Sequence, residues 1–413
     1  MEGPRTRDAE DDARKTAERV ARLSYGRLVA ILSARNRDLA GAEDALATAL
    51  ERALATWPTS GLPSNPEGWL LKVAQNRIAN GRRHAAVVAE AVGELLRQVD
   101  ERQASQAPVG DPRVPMLFVC AHPAIDPASR TPLMLQVVLG LDAQRIAGAF
   151  LVPPATMSQR LVRAKARIKG TGLRFAVPDA EELPARLADV LQAVYGAYGL
   201  GWDEGGLEGG LPDEAIDLAR LVAAELPQEP EAKGLLALML HTHARRKARR
   251  GVDGAFIPLA DQDASLWDRE MVVEAEGLLV AAARSGRFGR FQCEAAIQSV
   301  HAQRGITGKV NLPALDLLYS LLVSLQPTAG ALTAHAAVRR ELGDADGALR
   351  LLRTIDDHAQ ARYQPALVLE ALILRDRGDI AGATRLREAA LALTSEPALR
   401  IHIALLLDAE KRK

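Results

Sequence analysis

Between Pro153 and Gly170 every charged side chain is basic: Arg160, Arg163, Lys165, Arg167 and Lys169. Basic residues gathered on one short segment suit a phosphate backbone, which they attract without reading its sequence. Gln159 adds an amide able to read an adenine edge, and Arg160 and Arg163 add guanidinium forks able to read guanine. Met157, Leu161, Ala164 and Ile168 recur at spacings of three and four, which predicts the buried face of a helix. Thr156, Gln159, Arg160 and Arg163 fall on its other faces, and Lys165, Arg167 and Lys169 are placed to run along phosphates. A short apolar helix carrying Ile146, Ala147 and Phe150 precedes it, followed by a turn at Leu151, Val152, Pro153 and Pro154. The prolines stop the first helix, and Pro154 or Ala155 opens the second. Residues 142–170 therefore have the helix-turn-helix pattern of a DNA reader. The alternative is a solvated basic face on an ordinary helical hairpin.

Other residue pairs raise different chemistry. Cys120 and His122 are nucleophile and base types, but they stand almost side by side before a proline with no orienting acid. They read as a structural cysteine and a loop or capping histidine. His241 and His243 sit two apart, whereas two metal ligands on one helix face need a spacing of four, and no Cys or acid completes a set. No metal site is expected. The run Arg245, Arg246, Lys247, Arg249, Arg250 is followed by Asp261, Asp263 and Asp268, which predicts an internal ion-pair network holding that loop. An acidic or phosphorylated partner is the alternative. Residues 201–210 are Gly-rich but acidic, repel phosphate, and read as a flexible loop. No Walker loop, GxSxG or dinucleotide fingerprint occurs, so neither a cofactor nor an enzymatic activity is expected.

The elements that must position these residues are helices. Hydrophobic residues make up 48% of the 413-residue chain but aromatics only 4%, with Ala and Leu abundant. That balance favours an all-α fold of two or three domains. Lys plus Arg equals Asp plus Glu, 52 each, so any nucleic-acid signal is local. Two distant cysteines fit a reducing compartment. A charged N-terminus and the lack of a long apolar stretch predict a cytoplasmic protein with no membrane partner. The chain divides into a helical block at 13–84, a linker at 85–113 whose part 87–99 can be helical, a second block at 114–170, and a third at 179–413 with loops at 201–212 and 251–258. In the third block LGDADGALRLL from Leu342 and RGDIAGATRLR from Arg377 align at an offset of 35 residues. In each copy a glycine (Gly343, Gly378) ends one helix, and a small alanine (Ala348, Ala383) lets the next pack closely. This is the tetratricopeptide spacing of stacked helical pairs.

Several segments together resemble one family. AEDALATALERALATWP from Ala42, NPEGWLLKVAQNRIANGRR from Asn65 and PMLFVCAHPAIDPASRTPLMLQVVLGL from Pro115 are similar to regions 2 and 4 of the extracytoplasmic-function group of sigma-70-type RNA polymerase sigma factors. LLALMLHTHARRKARR from Leu235, PLADQDASLWDR from Pro258 and GRFQCEAAIQSVHAQRG from Gly289 resemble the tetratricopeptide-like C-terminal extension of one subgroup. The resemblance covers nearly the whole chain.

It implies a transcription initiation factor that binds core RNA polymerase and promoter DNA. Region 4, at 114–170, would read the −35 element through Thr156, Ser158, Gln159, Arg160, Arg163, Lys165 and Arg167. Region 2, at 13–84, would meet the −10 element through Lys72, Asn76, Arg77, Arg82 and Arg83, and polymerase through Glu43, Asp44, Leu46 and Leu50. The loop 59–65 stands where the family places its pocket for a flipped −10 base, yet it holds no aromatic to stack on that base. Trp69 reads as a core anchor. The C-terminal domain would shield the DNA-binding surfaces or receive a regulatory protein.

Some positions depart from the family pattern. Ala47, Thr48 and Leu50 replace a Gln, an acid and a Phe, which weakens the expected anchor to polymerase. Asn80 replaces an Asp, and Gly81 predicts that the helix frays or ends there. Ser158 replaces a basic residue. Ala47, Thr48 and Asn80 support a second reading, a degenerate sigma-like scaffold that keeps residual DNA binding.

Overall fold

A computed structural model describes residues 4–89, 110–201, 210–251, 255–394 and 397–408. Among them the fold is all-α, with no strand and one isolated bridge between Arg250 and Phe256. The chain forms two compact units, Met1–Glu225 and Leu226–Lys413.

The first unit opens with three long helices, α1 (Pro4–Asn36), α2 (Leu39–Ser60) and α3 (Pro66–Ala89). The charged N-terminal stretch before Ala13 is already helical from Pro4. Leu39, Ala42, Ala45, Leu46, Ala49, Ala53 and Trp57 line one face of α2 and are all buried. The alanines among them let α1 and α3 approach closely. Asp38 caps α2 by accepting from the Gly41 backbone N–H at 3.0 Å. The helix continues through Pro58, so the expected loop at 59–65 shortens to 61–65, with Gly61 at φ +83 as the turn residue. Asn65 then caps α3 through the Gly68 N–H at 2.9 Å. Gly81 does not end α3. The helix runs on to Ala89, since one glycine costs only ~1 kcal/mol within a run of good helix formers.

After residues 90–109, which lie outside the described residues together with most of the expected linker helix, come α4 (Arg113–Cys120), α5 (Pro127–Leu139), α6 (Ala143–Ala149) and α7 (Pro154–Thr171). Two further helices, α8 (Leu183–Leu200) and α9 (Leu211–Glu225), complete the unit. The sequence opens a new block near Asp179, but α8 packs on α4 and α5. Arg130 on α5 pairs with Asp189 on α8 at 2.7 Å. The Glu225 carboxylate at the end of α9 accepts from the Asp111 N–H at 3.2 Å.

Gly26 lets the two halves of this unit meet. A Cβ at that position would lie 1.8 Å from the Val138 carbonyl oxygen, so α1 and α5 cross with backbone against backbone. Two residues on, Gly140 turns at φ +66 beneath the Tyr25 ring.

The second unit is a succession of packed helices: α10 (Pro230–His243), α11 (Arg269–Ala283), α12 (Arg290–Ala302), α13 (Arg304–Thr307), α14 (Leu312–Leu325), α15 (Ala329–Glu341), α16 (Ala345–Leu352), α17 (Asp357–Ala361), α18 (Gln364–Asp376), α19 (Ile380–Ala392) and α20 (Pro397–Asp408). Each core passes to the next through a shared helix. Cys293, Ile297, Leu315, Leu322, Ala331 and Val338 join α12, α14 and α15. Leu332, Ala336, Ala348, Leu349, Leu352, Leu369 and Ile373 join α15, α16 and α18. Ala371, Leu372 and Ile403 carry the core to α20. Such nearest-neighbour burial is the energetics of a stacked array.

The aligned copies form equivalent hairpins, α15–α16 and α18–α19. Gly343 and Gly378 turn at φ +86 and +82, where L residues are strained. Asp344 and Asp379 then cap the next helix through the Gly347 and Gly382 N–H groups at 2.8 and 2.9 Å. Ala348 and Ala383 are buried where the helices meet.

Candidate nucleic-acid interface

The second helix of the residue 142–170 segment is α7, and its four buried residues are Met157, Leu161, Ala164 and Ile168. Asp142 caps α6 by accepting from the Arg145 N–H at 2.8 Å. Ile146 and Ala147 are buried, while Phe150 stays partly exposed. The turn is made before the prolines take effect. Leu151 adopts φ +52 and is 92% exposed, and the Val152 N–H returns to the Ala147 carbonyl at 3.1 Å. Pro153 is extended, and Pro154 occupies the first turn of α7.

The buried stripe separates two edges of α7. On one edge Gln159, Arg163 and Arg167 follow at steps of four and are exposed, with half-buried Thr156 and Arg160 beside them. The Arg163 Nε reaches back to the Gln159 carbonyl at 3.4 Å. On the other edge lie Ser158, exposed, and Lys165 and Lys169. These lysines do not extend a line of phosphate contacts with Arg167, as the sequence implies. The Lys165 Nζ donates to the Glu43 Oε2 at 2.6 Å, both side chains being 14% exposed. Lys169 pairs with Asp38 at 2.7 Å.

Glu43 also receives the Tyr25 hydroxyl at 3.3 Å. Burial first, then the Glu43 carboxylate, holds the Tyr25 phenol protonated well above its ordinary range. Of the four residues expected to meet polymerase, Asp44 is exposed, Leu50 is half-buried and Glu43 is engaged by Lys165. Leu46 is 1% exposed. It belongs to the core of the unit, because it falls on the alanine face of α2, and a surface contact there is ruled out in this conformation.

On α3, Lys72, Asn76 and Arg77 are exposed. The side chains of Arg82 and Arg83 lie outside the described residues. Trp69 is half-buried and meets the buried Trp57 edge-on, with ring centroids 5.5 Å apart. A cleft of about 320 Å³ opens where α1, α2 and α3 meet, lined by Asn36, Asp38, Asp44 and Arg77 with Gly41 and Gly81 at its walls.

The remaining pairs are structural. Cys120 is fully buried, which pushes its thiol pKa far up. The His122 Nδ1 accepts from the Ala124 N–H at 3.0 Å and so closes a loop. His241 is buried, and burial with nearby Arg245 lowers its pKa to about 4. Glu276 stands 3.4 Å from its Nε2 but accepts instead from the Ser299 hydroxyl at 2.6 Å. His243 faces Arg246, Nε2 to Nη1 2.7 Å. Among the described residues no group of three His, Cys, Asp or Glu side chains is placed to hold a metal ion. The loop after Pro258 is held by Arg304, beyond the basic run, which donates to the Ala260 and Gln262 carbonyls and covers the Trp267 ring. Asp263 and Asp268, two of the acids expected to pair with the basic run, each also accept from a backbone N–H, of Ser265 and Met271 at 2.9 and 3.1 Å. Residues 202–209, most of the Gly-rich acidic loop, lie outside the described residues.

A protein of Rhizobium meliloti (strain 1021), itself described as uncharacterized, is 35% identical over 385 residues, 91% of this chain and 90% of its own length. The chain belongs to the family of that protein. The match is longer than either compact unit, so both are shared. Residues 186–283, from α8 to the end of α11, match the model of a family of unknown function, DUF6596. No solved structure matches the chain. Among the described residues no helix is long and apolar enough to cross a membrane.

Proposed function

We propose that this chain is an RNA polymerase sigma factor of the extracytoplasmic-function type. It directs core polymerase to promoters from the cytoplasm, catalyses no reaction itself, and carries a tetratricopeptide-like C-terminal domain that regulates it or binds a partner protein. The observation that carries this reading is the outer edge of α7. Gln159, Arg163 and Arg167 stand exposed in one row on a helix whose opposite face is anchored by Met157, Leu161, Ala164 and Ile168. A rigid helix presenting an amide and guanidinium groups at helical repeat fits a major groove. The exposed Lys72, Asn76 and Arg77 on α3 supply a second basic surface for promoter DNA.

A degenerate sigma-like scaffold is the second reading. It is favoured by the burial of Leu46 and the pairing of Glu43, which leave Asp44 as the one exposed member of the expected polymerase contact. Run-off transcription with core polymerase, on DNA from upstream of the gene for this chain, decides between them. A defined transcript that depends on the chain is expected. Binding of that DNA with neither transcript nor a stable polymerase complex would establish the scaffold.

A further inference from the structure

The two edges of α7 have different partners. The outer edge faces away from the protein, whereas Lys165 and Lys169 are engaged by Glu43 and Asp38, residues more than a hundred positions earlier in the chain. Both lysines belong to the basic segment, and Glu43 belongs to the acidic surface of α2. Each pair therefore withholds a cation from phosphate and an anion from any basic partner surface.

The pairs lie in a closed interface built from both halves of the unit. The Glu43 carboxylate is bonded by the Tyr25 hydroxyl as well as Lys165, and Tyr25 packs on Gly140. The neighbouring residue, Gly26, is the one whose missing side chain lets α1 lie on the Val138 carbonyl. Lys165 and Glu43 are shielded enough for salt to screen them little, while Lys169, 65% exposed, is screened readily. The first pair is the firm one and the second the labile one.

We infer that Lys165–Glu43 and Lys169–Asp38 form an intramolecular latch. Closed, the unit meets DNA through the outer edge of α7 alone. Opened, it brings two more cations to phosphate and at the same time frees the Glu43 and Asp38 carboxylates for a basic surface of another protein. The inference rests on the DNA-binding reading of α7 and adds its regulation.

The test compares the full-length chain with an Asp38→Asn/Glu43→Gln variant on duplex DNA of random sequence, across a salt series. Asn keeps the cap of α2, so the helix is preserved. Each further phosphate neutralised by a lysine steepens the dependence of log K on log salt by about 0.9. The variant is expected to bind on the order of tenfold tighter at low salt, with a slope steeper by about 2 for the two lysines. A charge-matched control, Glu10→Gln/Asp12→Asn on the exposed start of α1, should leave the slope unchanged. Gly26→Leu wedges α1 from α5 without altering charge and should steepen the slope as the double variant does. Wild-type binding with the same slope in all forms overturns the latch and leaves the DNA reading standing. Absence of binding by every form, with helical content intact by circular dichroism, overturns both.

Discussion

Glu214 is an acid whose surroundings change its proton affinity. Burial raises its pKa to about 7, against the pull of Arg22, Arg113 and Arg145 and with some help from Asp217. The unfolded chain gives up this proton near 4.5 while the folded unit keeps it until about 7. Over that window the folded state binds more protons, so its stability falls as pH rises, and the full penalty applies above it. Glu214→Gln should therefore raise the unfolding midpoint at about pH 8 and leave it unchanged at about pH 4. Thermal melts of the two proteins at both pH values measure this, and an equal shift at both would show that the charge is not the cause. At the same scale, the chemistry of α7 is legible in the sequence only by residue type. Nothing local distinguishes Lys165 from Arg167. What separates them is a partner, Glu43, 122 positions away.

The hairpins of the second unit show how a short pattern builds an element. Asp344 closes on the Gly347 N–H so tightly that a Cβ at residue 347 would lie 2.0 Å from its carboxylate oxygen. Gly347→Ala should push the cap aside and destabilise the hairpin by about 1 kcal/mol or somewhat more, despite the better helix propensity of alanine. Urea unfolding of the full chain reads this, and a gain in stability would mean that the cap contributes nothing. The repeat is visible in the sequence because it is local: a turn glycine, a small packing alanine, an offset of 35 residues. The aspartate stands in both copies too, but only its bond to a backbone N–H reveals it as a cap. The buried stripe of α7 is legible for the same reason as the repeat, since period alone defines it. Leu46 differs, because its place in a family motif assigns it to the surface while the alanine spacing of α2 puts it in the core. At Gly81 the propensity penalty of one residue yields to the helix formers on either side.

For the whole molecule, the boundary after Glu225 matters most. Leu187, Val190, Leu191, Val194 and Tyr198 form the buried face of α8, which packs on α4, α5 and α9. At about 2 kcal/mol for each large side chain, their burial contributes on the order of 10 kcal/mol, comparable to the entire stability of a domain. A chain ended after Glu225 should unfold cooperatively, whereas one ended after Lys169 should be unfolded or aggregated. Circular dichroism and size-exclusion chromatography of the two truncations check this, and equal behaviour would mean that α8 and α9 are dispensable to the first unit. Any assay of what the C-terminal part does to transcription thus belongs on the longer truncation. Gly26 carries a consequence for comparing relatives. The Val138 carbonyl leaves no room for even a methyl group, so one position records in the sequence whether α1 and α5 can meet this way. A relative with alanine or anything larger there must hold its halves apart. The presence or absence of a single glycine would then sort such proteins into those able to close and those permanently open.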